Sequence, residues 1–321
     1  MSNYLATFLM LLLAAQCKSG YVIPDPVPGG GSGQNTNTGT TDVVEPSDGE
    51  DTPPTYHFGL EADGNDADTY SLILARGYNY ETPDNSGEHA GNPFRHIRQS
   101  YDQELKKYVF EFILHINNDD DRGKADVTDR QRNEIKTDSH SPDSLVAQNG
   151  ETLRISWKFR LPEGMQTTTK FAHIHQLKGI DNKEGNADVA LPALTFTCRS
   201  LSSGKQQFQV LSTASNIESD GATTYLAKVD LSNFLGEWVS VTETVQFADE
   251  GSYSVVITRM RDGKQLVKLD GVRLDLWRTG CTGMRPKWGL YRNFGEGRSL
   301  ADQLRDEVLK FADFDIIKLK K

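Results

Sequence analysis

The chain has 321 residues, of which 36% are hydrophobic and 25% charged, with 28 Gly, 12 Pro and 3 Cys. These values exclude a collagenous chain, a coiled coil and a disulfide-dense mini-protein. A net charge of −10 and a pI near 5.2 exclude a general binder of nucleic acid or anionic membranes. They leave room for a local basic groove on an acidic body.

The N-terminal segment reads as an address. Residues 4–15 form an apolar run of signal-peptide length, too short to span a bilayer comfortably. Ala14 and Ala15 precede Gln16 and Cys17, and Leu-Ala-Ala-Gln-Cys17 resembles a bacterial lipoprotein box, which marks Cys17 for lipidation. Gln16 is larger than the residue usual before the cysteine, and ordinary secretion is the alternative. Either reading exports the protein, as a secreted or outer-surface lipoprotein of a bacterium, with the membrane reached only through the lipid. Residues 18–55 follow as a Gly/Ser/Thr/Pro/Asp-rich linker without the apolar side chains needed to offset chain entropy. The folded domain is expected over residues 56–321.

Within that domain the apolar period is two. Tyr108–Ile116, Leu153–Leu161, Trp238–Phe247 and Tyr253–Arg261 read as strands, and Asp262-Gly263 turns the chain into Gln265–Leu269. Val308–Phe311 and Phe314–Leu319 close the chain, and Leu300–Val308 is the one stretch with a helical pattern. Many strands spaced by Gly, Asp and Asn turns predict an all-β, antiparallel two-sheet sandwich of the jelly-roll kind, with one sheet face as a substrate groove. Cys198 and Cys281 form either one disulfide or two buried thiols. No phosphate loop, zinc-protease helix or nucleophile elbow is present in this domain, nor the paired-carboxylate strand of many jelly-roll glycoside hydrolases.

Three strands carry more polar side chains than a core allows. In Asp129–Lys136, alternation places Arg130, Arg132, Glu134 and Lys136 on one face, an anion seat in which the carboxylate steadies a guanidinium. In Lys170–Gly179, strict alternation places His173 and His175 on one face and Gln176 and Lys178 on the other. In Arg285–Asn293, Lys287, Gly289 and Tyr291 share a face, with Gly289 clearing space between a cation and a phenol.

Taken in order, Arg132-Asn-Glu-Ile-Lys136, Gln176-Leu-Lys178 and Lys287-Trp-Gly-Leu-Tyr291 resemble the groove strands of the jelly-roll polysaccharide lyases of the alginate-lyase type. In those enzymes the strands read Arg-Ser-Glu-Leu-Arg, Gln-Ile-His and Tyr-Phe-Lys-Ala-Gly-Tyr. With Gln176 aligned to the glutamine of that pattern, the preferred alignment, Lys178 stands at its histidine position. Aligning His173-Ile-His175 instead keeps the histidine and loses the glutamine. On the first alignment a Lys/Tyr pair looks more like the ulvan lyases of this fold. The resemblance implies β-elimination on a uronic-acid polymer, with ulvan favoured and alginate or glucuronan next. It implies carboxylate neutralisation by Arg132, Gln176 and Lys178, proton transfer in both directions by Tyr291, and His175 as reserve base. Arg130, Glu134, Lys136, His173, Lys287 and Arg292 are the expected substrate contacts. No cofactor is expected for catalysis. Enzymes of this type often carry a structural calcium, for which Asp313, Asp315 and the run Asn117–Asp121 offer oxygen ligands. A monomer is expected. A non-catalytic carbohydrate-binding module or a glycoside hydrolase on the same fold are the competing readings.

Overall fold

Strict alternation in one strand organises the domain. Leu153, Ile155, Trp157 and Phe159 are all buried along Thr152–Arg160, whereas Arg154 on the opposite side is exposed. The computed structural model describes residues 59–124, 126–216 and 221–319. The expectations for a lipidated Cys17 and for the linker therefore fall outside the described residues.

Fourteen strands are described: β1 (Asn79–Glu81), β2 (Ile97–Asp102), β3 (Lys107–Leu114), β4 (Arg130–Lys136), β5 (Thr152–Arg160), β6 (Ala172–Ile180) and β7 (Leu194–Ser200), followed by β8 (Gln206–Thr213), β9 (Thr223–Asp230), β10 (Trp238–Gln246), β11 (Gly251–Arg259), β12 (Lys264–Leu274), β13 (Gly283–Asn293) and β14 (Glu307–Leu319). They form two seven-stranded sheets. One runs β1-β4-β13-β6-β7-β8-β9 and the other β12-β11-β10-β5-β14-β3-β2, with all neighbouring strands antiparallel. This is the expected jelly-roll sandwich. Aromatic side chains fill the space between the sheets: Trp157 stacks on Phe311 at 5.9 Å and Phe208 on Phe234 at 4.2 Å between ring centroids.

Two local expectations change. The helix expected over Leu300–Val308 is only a 3-10 turn at Ala301–Gln303; Val308 instead pairs with Ile113, and Leu309 and Phe311 enter the core at period two. A helix does form at Thr69–Ala75, where Thr69 and Ile73, four residues apart, are both buried. Cys198 and Cys281 are free thiols; Cys198 is sealed in the core, where burial pushes its thiol pKa well up.

The sheet that carries the polar strands contains a slip in register. On β6, His173 pairs with Thr197 of β7, yet His175 pairs with Phe196, so Ile174 is one residue in excess. On the other side, His173 pairs with Tyr291 of β13 and His175 with Trp288, so β13 holds an extra residue around Gly289 and Leu290. Gly289 sits at φ +143°, and a Cβ there would stand 2.1 Å from the Asn133 carbonyl oxygen and 2.8 Å from Glu134 Cα, both backbone atoms of β4. Only glycine permits that approach. Gly289→Ala should therefore destabilise the domain by roughly 3 kcal/mol, read from the shift in its urea unfolding midpoint. An unchanged midpoint would show that β4 and β13 can part without cost.

Candidate active site

The slip decides which side chains of β6 face outward. Ile174 and His175 enter the core in succession, and alternation then restarts out of phase. His173, Gln176 and Lys178 consequently line one cavity of about 370 Å³ together with Arg130, Phe171, Arg199, Tyr225 and Tyr291. Strict alternation had separated His173 from Gln176, and the bulge brings them to one face.

His175 is the clearest correction. Its ring is fully buried, Nδ1 lies 2.9 Å from the Lys287 carbonyl oxygen, and Nε2 stands 3.1 Å from Glu243 Oε1 of the opposite sheet. Trp157 Nε1 and the Tyr253 hydroxyl donate to Glu243, at 3.1 and 2.8 Å. His175 is thus held inside the core by the Lys287 carbonyl, with Nε2 beside Glu243 but without a hydrogen-bond partner among the described residues, and it is not exposed to a substrate. Arg292 also faces inward: it is 1% exposed, donating through Nε to Gln131 Oε1 at 2.7 Å and through Nη1 to the Arg305 carbonyl at 2.9 Å.

Beneath the cavity lies a lattice of buried charge. Glu134 accepts from Arg132 Nη1 at 2.8 Å, lies 2.6 Å from Lys287 Nζ, and accepts from the Gln176 amide on its other oxygen. Glu81 on β1 meets Lys287 at 2.6 Å, Arg122 at 2.6 Å and Lys136 at 3.0 Å, while Asp121 meets Arg132 Nε at 2.8 Å. Burial opposes ionisation of Glu81 and Glu134, but Lys287 and Arg132 outweigh it and hold both carboxyls below the ordinary carboxylate range. The expected anion seat is therefore largely spent on internal carboxylates. Arg132, Lys136 and Lys287 form the floor of the site, and Lys287 is only 2% exposed.

What faces the cavity from this floor is Tyr291. The Arg132 guanidinium lies 3.6 Å from the centroid of its ring, and Arg130 Nη1 donates to its hydroxyl oxygen at 3.0 Å. Desolvation lifts the phenol pKa above its ordinary value, although Arg132 and Arg130 pull the other way. The cations thus fail to lower it as expected, and the hydroxyl keeps its proton at neutral pH. Directly across, His173 stacks on Phe171 at 4.3 Å and lies 6.1 Å from Tyr291 between centroids, with Nδ1 2.7 Å from Thr197 Oγ1. Desolvation and the charges of Arg199, Arg132, Lys178 and Lys287 depress its pKa well below the ordinary value, so the imidazole is neutral.

Lys178 occupies another part of the cavity. It pairs with Arg285, whereas Tyr291 pairs with His173, five residues along β6, a backbone separation of roughly 16 Å by strand rise. Its Nζ donates to the Ala190 carbonyl at 3.0 Å, and burial together with Lys287 and Arg132 lowers its pKa to about 7. Arg199 was missed in the sequence. Its signal is the alternation of Thr195, Thr197 and Arg199 against buried Leu194, Phe196 and Cys198 on β7, and its buried Nε has no hydrogen-bond partner among the described residues. Glu81, a lone acid on a three-residue strand, gives no signal of its own.

The calcium ligands expected from sequence are otherwise engaged. Asp313 is clasped between the ammonium groups of Lys107 and Lys158, Asp121 between Arg132 and Arg122, and Asp120 accepts from Ser86 Oγ at 2.6 Å. Asp315 pairs in register with Ser156, beyond the irregularity that turns Asp313 toward the lysines. Asp120, Asp121 and Asp313 thus turn to protein partners, whereas Asp119 of the same run faces His89, His96 and His115.

Fold and site together define a jelly-roll protein with a cation-walled cavity on one sheet, in which a neutral imidazole faces a protonated phenol. The chain belongs to the polysaccharide lyase family, whose profile matches residues 85–308, and it is accordingly a polysaccharide lyase. It is similar in structure to the marine alginate lyase from Aplysia kurodai, at 12% identity over 81% of this chain and 98% of that one, with a TM-score of 0.51. It is also similar to an endo-β-1,4-glucuronan lyase from the fungus Trichoderma reesei (13% identity, 75% and 94% covered, TM-score 0.46) and to an alginate lyase from Pseudomonas aeruginosa (13%, 75% and 98%, TM-score 0.44). At such identities the likeness is one of fold. No curated protein matches the chain.

Removing Lys287 would take from Glu81 and Glu134 the nearer of the two cations they share and leave them to Arg132. Lys287→Ala should cost about 3–5 kcal/mol of unfolding free energy, measured by urea denaturation near pH 7. A loss below about 1 kcal/mol would show that the carboxylates are not held ionised by this lysine.

Proposed function

We infer that this lyase cleaves a uronic-acid polymer by β-elimination, with His173 as base and Tyr291 as acid. The observation that carries this reading is their pairing across β6 and β13 at one point of the cavity, one neutral and the other protonated. In the tautomer whose Nδ1–H is given to Thr197, the Nε2 lone pair of His173 takes the C5 proton of the uronate. The electron pair moves into the carboxylate as an enolate, the C4–O bond breaks, and the Tyr291 hydroxyl protonates the departing oxygen. Because Tyr291 already accepts from Arg130, its own hydrogen is free to point toward the substrate. Developing charge on the carboxylate is met by Arg199 and by the second N–H of the Gln176 amide, whose first is given to Glu134. Arg132 acts beneath the phenol ring, not on the sugar.

The preference for ulvan rests on Lys178 and Tyr291 acting as one catalytic pair. Their separation along the sheet removes that argument, so ulvan, alginate and glucuronan stand as equal substrates in the assay. Lys178 is assigned instead to a neighbouring anionic unit of the polymer.

Each polymer is offered in turn, and cleavage is followed by the near-ultraviolet absorbance of the conjugated C4–C5 double bond. On the polymer that is cut, His173→Ala and Tyr291→Phe should each lower kcat by about 10² to 10⁴ without unfolding the protein. His175→Ala should lower thermal stability through the cavity it leaves in the core and the loss of its bond to the Lys287 carbonyl. Near-normal turnover by His173→Ala would remove the histidine from the mechanism, and saturated reducing ends without the absorbance would replace elimination by hydrolysis.

A separate consequence concerns pH. Lys178 is an ammonium below about 7 and loses its charge above it, so KM for a polyanion should rise as pH rises through that value. Lys178→Arg keeps its charge and should abolish the rise. A rise that persists in Lys178→Arg would place its cause elsewhere.

A further inference from the structure

Away from the cavity, three histidines from three separate segments converge on one aspartate. His89 ends a 3-10 turn, His96 immediately precedes β2, His115 immediately follows β3, and Asp119 lies in the next loop. One ligating atom from each lies within 4.8 Å of every other. His89 Nε2 and His96 Nε2 stand 2.8 and 3.0 Å from Asp119 Oδ1, and His115 Nδ1 stands 3.4 Å from Oδ2. His96 and Asp119 are no more than 1% exposed and His89 is 8% exposed.

Hydrogen bonding alone leaves this cluster incomplete. Asp119 Oδ2 already accepts the His115 backbone N–H at 2.6 Å, and Oδ1 is shared by two imidazoles. His115 Nδ1 is buried without a hydrogen-bond partner among the described residues. A cation at the centre would satisfy all four groups at once. The surroundings are also those of a ligand set: Asp84 Oδ1 accepts His96 Nδ1 at 2.9 Å and the His96 backbone N–H at 3.1 Å, and the Tyr70 hydroxyl donates to its other oxygen. With Nδ1–H given to Asp84, a neutral His96 would aim its Nε2 lone pair at the centre, as outer carboxylates arrange for metal-bound histidines.

We propose that His89, His96, His115 and Asp119 form a closed, structural zinc site. Three imidazoles and one carboxylate suit tetrahedral zinc, whereas calcium and magnesium take oxygen ligands. Bonds near 2.0–2.1 Å place tetrahedral ligands about 3.4 Å apart, so small side-chain rotations complete the geometry. Four protein ligands leave no open position, which makes the ion a fastener. What it fastens is the 115–121 loop: Gln131 donates to the His115 and Asp119 carbonyls at 3.0 and 3.2 Å, and Asp121 at the end of the loop holds Arg132. The proposal is independent of which residues move protons in the groove.

The test uses the full chain purified without a metal-affinity tag. Metal analysis after dialysis should find about one zinc per chain. Cobalt(II) added to the chelator-stripped protein should give the intense visible bands of four-coordinate cobalt and be displaced by zinc. His115→Ala, whose ring is the most exposed of the three, should fold and weaken zinc binding more than ~100-fold, and Asp84→Asn should weaken it about 10- to 100-fold. Adding zinc to the stripped wild-type chain should raise its melting temperature. Sub-stoichiometric zinc with a weak, six-coordinate cobalt spectrum would overturn the site, as would His115→Ala binding zinc as tightly as the wild type.

Discussion

Two successive side chains of β6, Ile174 and His175, both enter the core, and the arrangement of the site follows from that one slip. Without it, strict alternation would put His173 on one side of the sheet and Gln176 with Lys178 on the other. With it, His173 reaches the cavity opposite Tyr291, and His175 is released into the core beside Glu243 of the opposite sheet. The partner irregularity on β13 is permitted by Gly289, where backbone of β4 leaves no room for a Cβ. A bulge is thus the device that supplies both a groove histidine and a core histidine from a span of three residues.

The second constraint is electrostatic. Buried cations need partners, and Glu81, Asp121 and Glu134 supply them for Arg122, Arg132, Lys136 and Lys287. The lattice holds the Arg132 guanidinium against the Tyr291 ring and steadies Gln176 through Glu134. Desolvation, aided by the charges of Arg199, Arg132, Lys178 and Lys287, keeps His173 neutral. A preorganised floor of this kind supports charge development above it without itself contacting the sugar.

The sequence made the architecture legible wherever one strand face was purely apolar. Leu153 to Phe159 could be read directly, as could the Asp262-Gly263 turn and the strands around it. Period two failed at β6 because neither face is purely apolar and a bulge leaves no mark in composition. The polar strands were found, with Arg132, Gln176 and Tyr291 brought to one neighbourhood, but roles assigned by local pattern were redistributed. Arg292 and His175 turned inward, and Lys287 became a counter-ion, because burial and pairing are long-range properties. His89, His96 and His115 lie too far apart in sequence to form a recognisable ligand motif, and only the fold joins them.

The central claim, that His173 and Tyr291 flank one uronate, is tested most directly by a crystal structure of the Tyr291→Phe enzyme with an uncleaved oligosaccharide of the polymer it cuts. The distance from the uronate C5 to His173 Nε2 should be about 3–3.5 Å, with the glycosidic oxygen beside the edge of the ring at position 291. A C5 atom seated against Lys178 instead, remote from His173, would contradict the account.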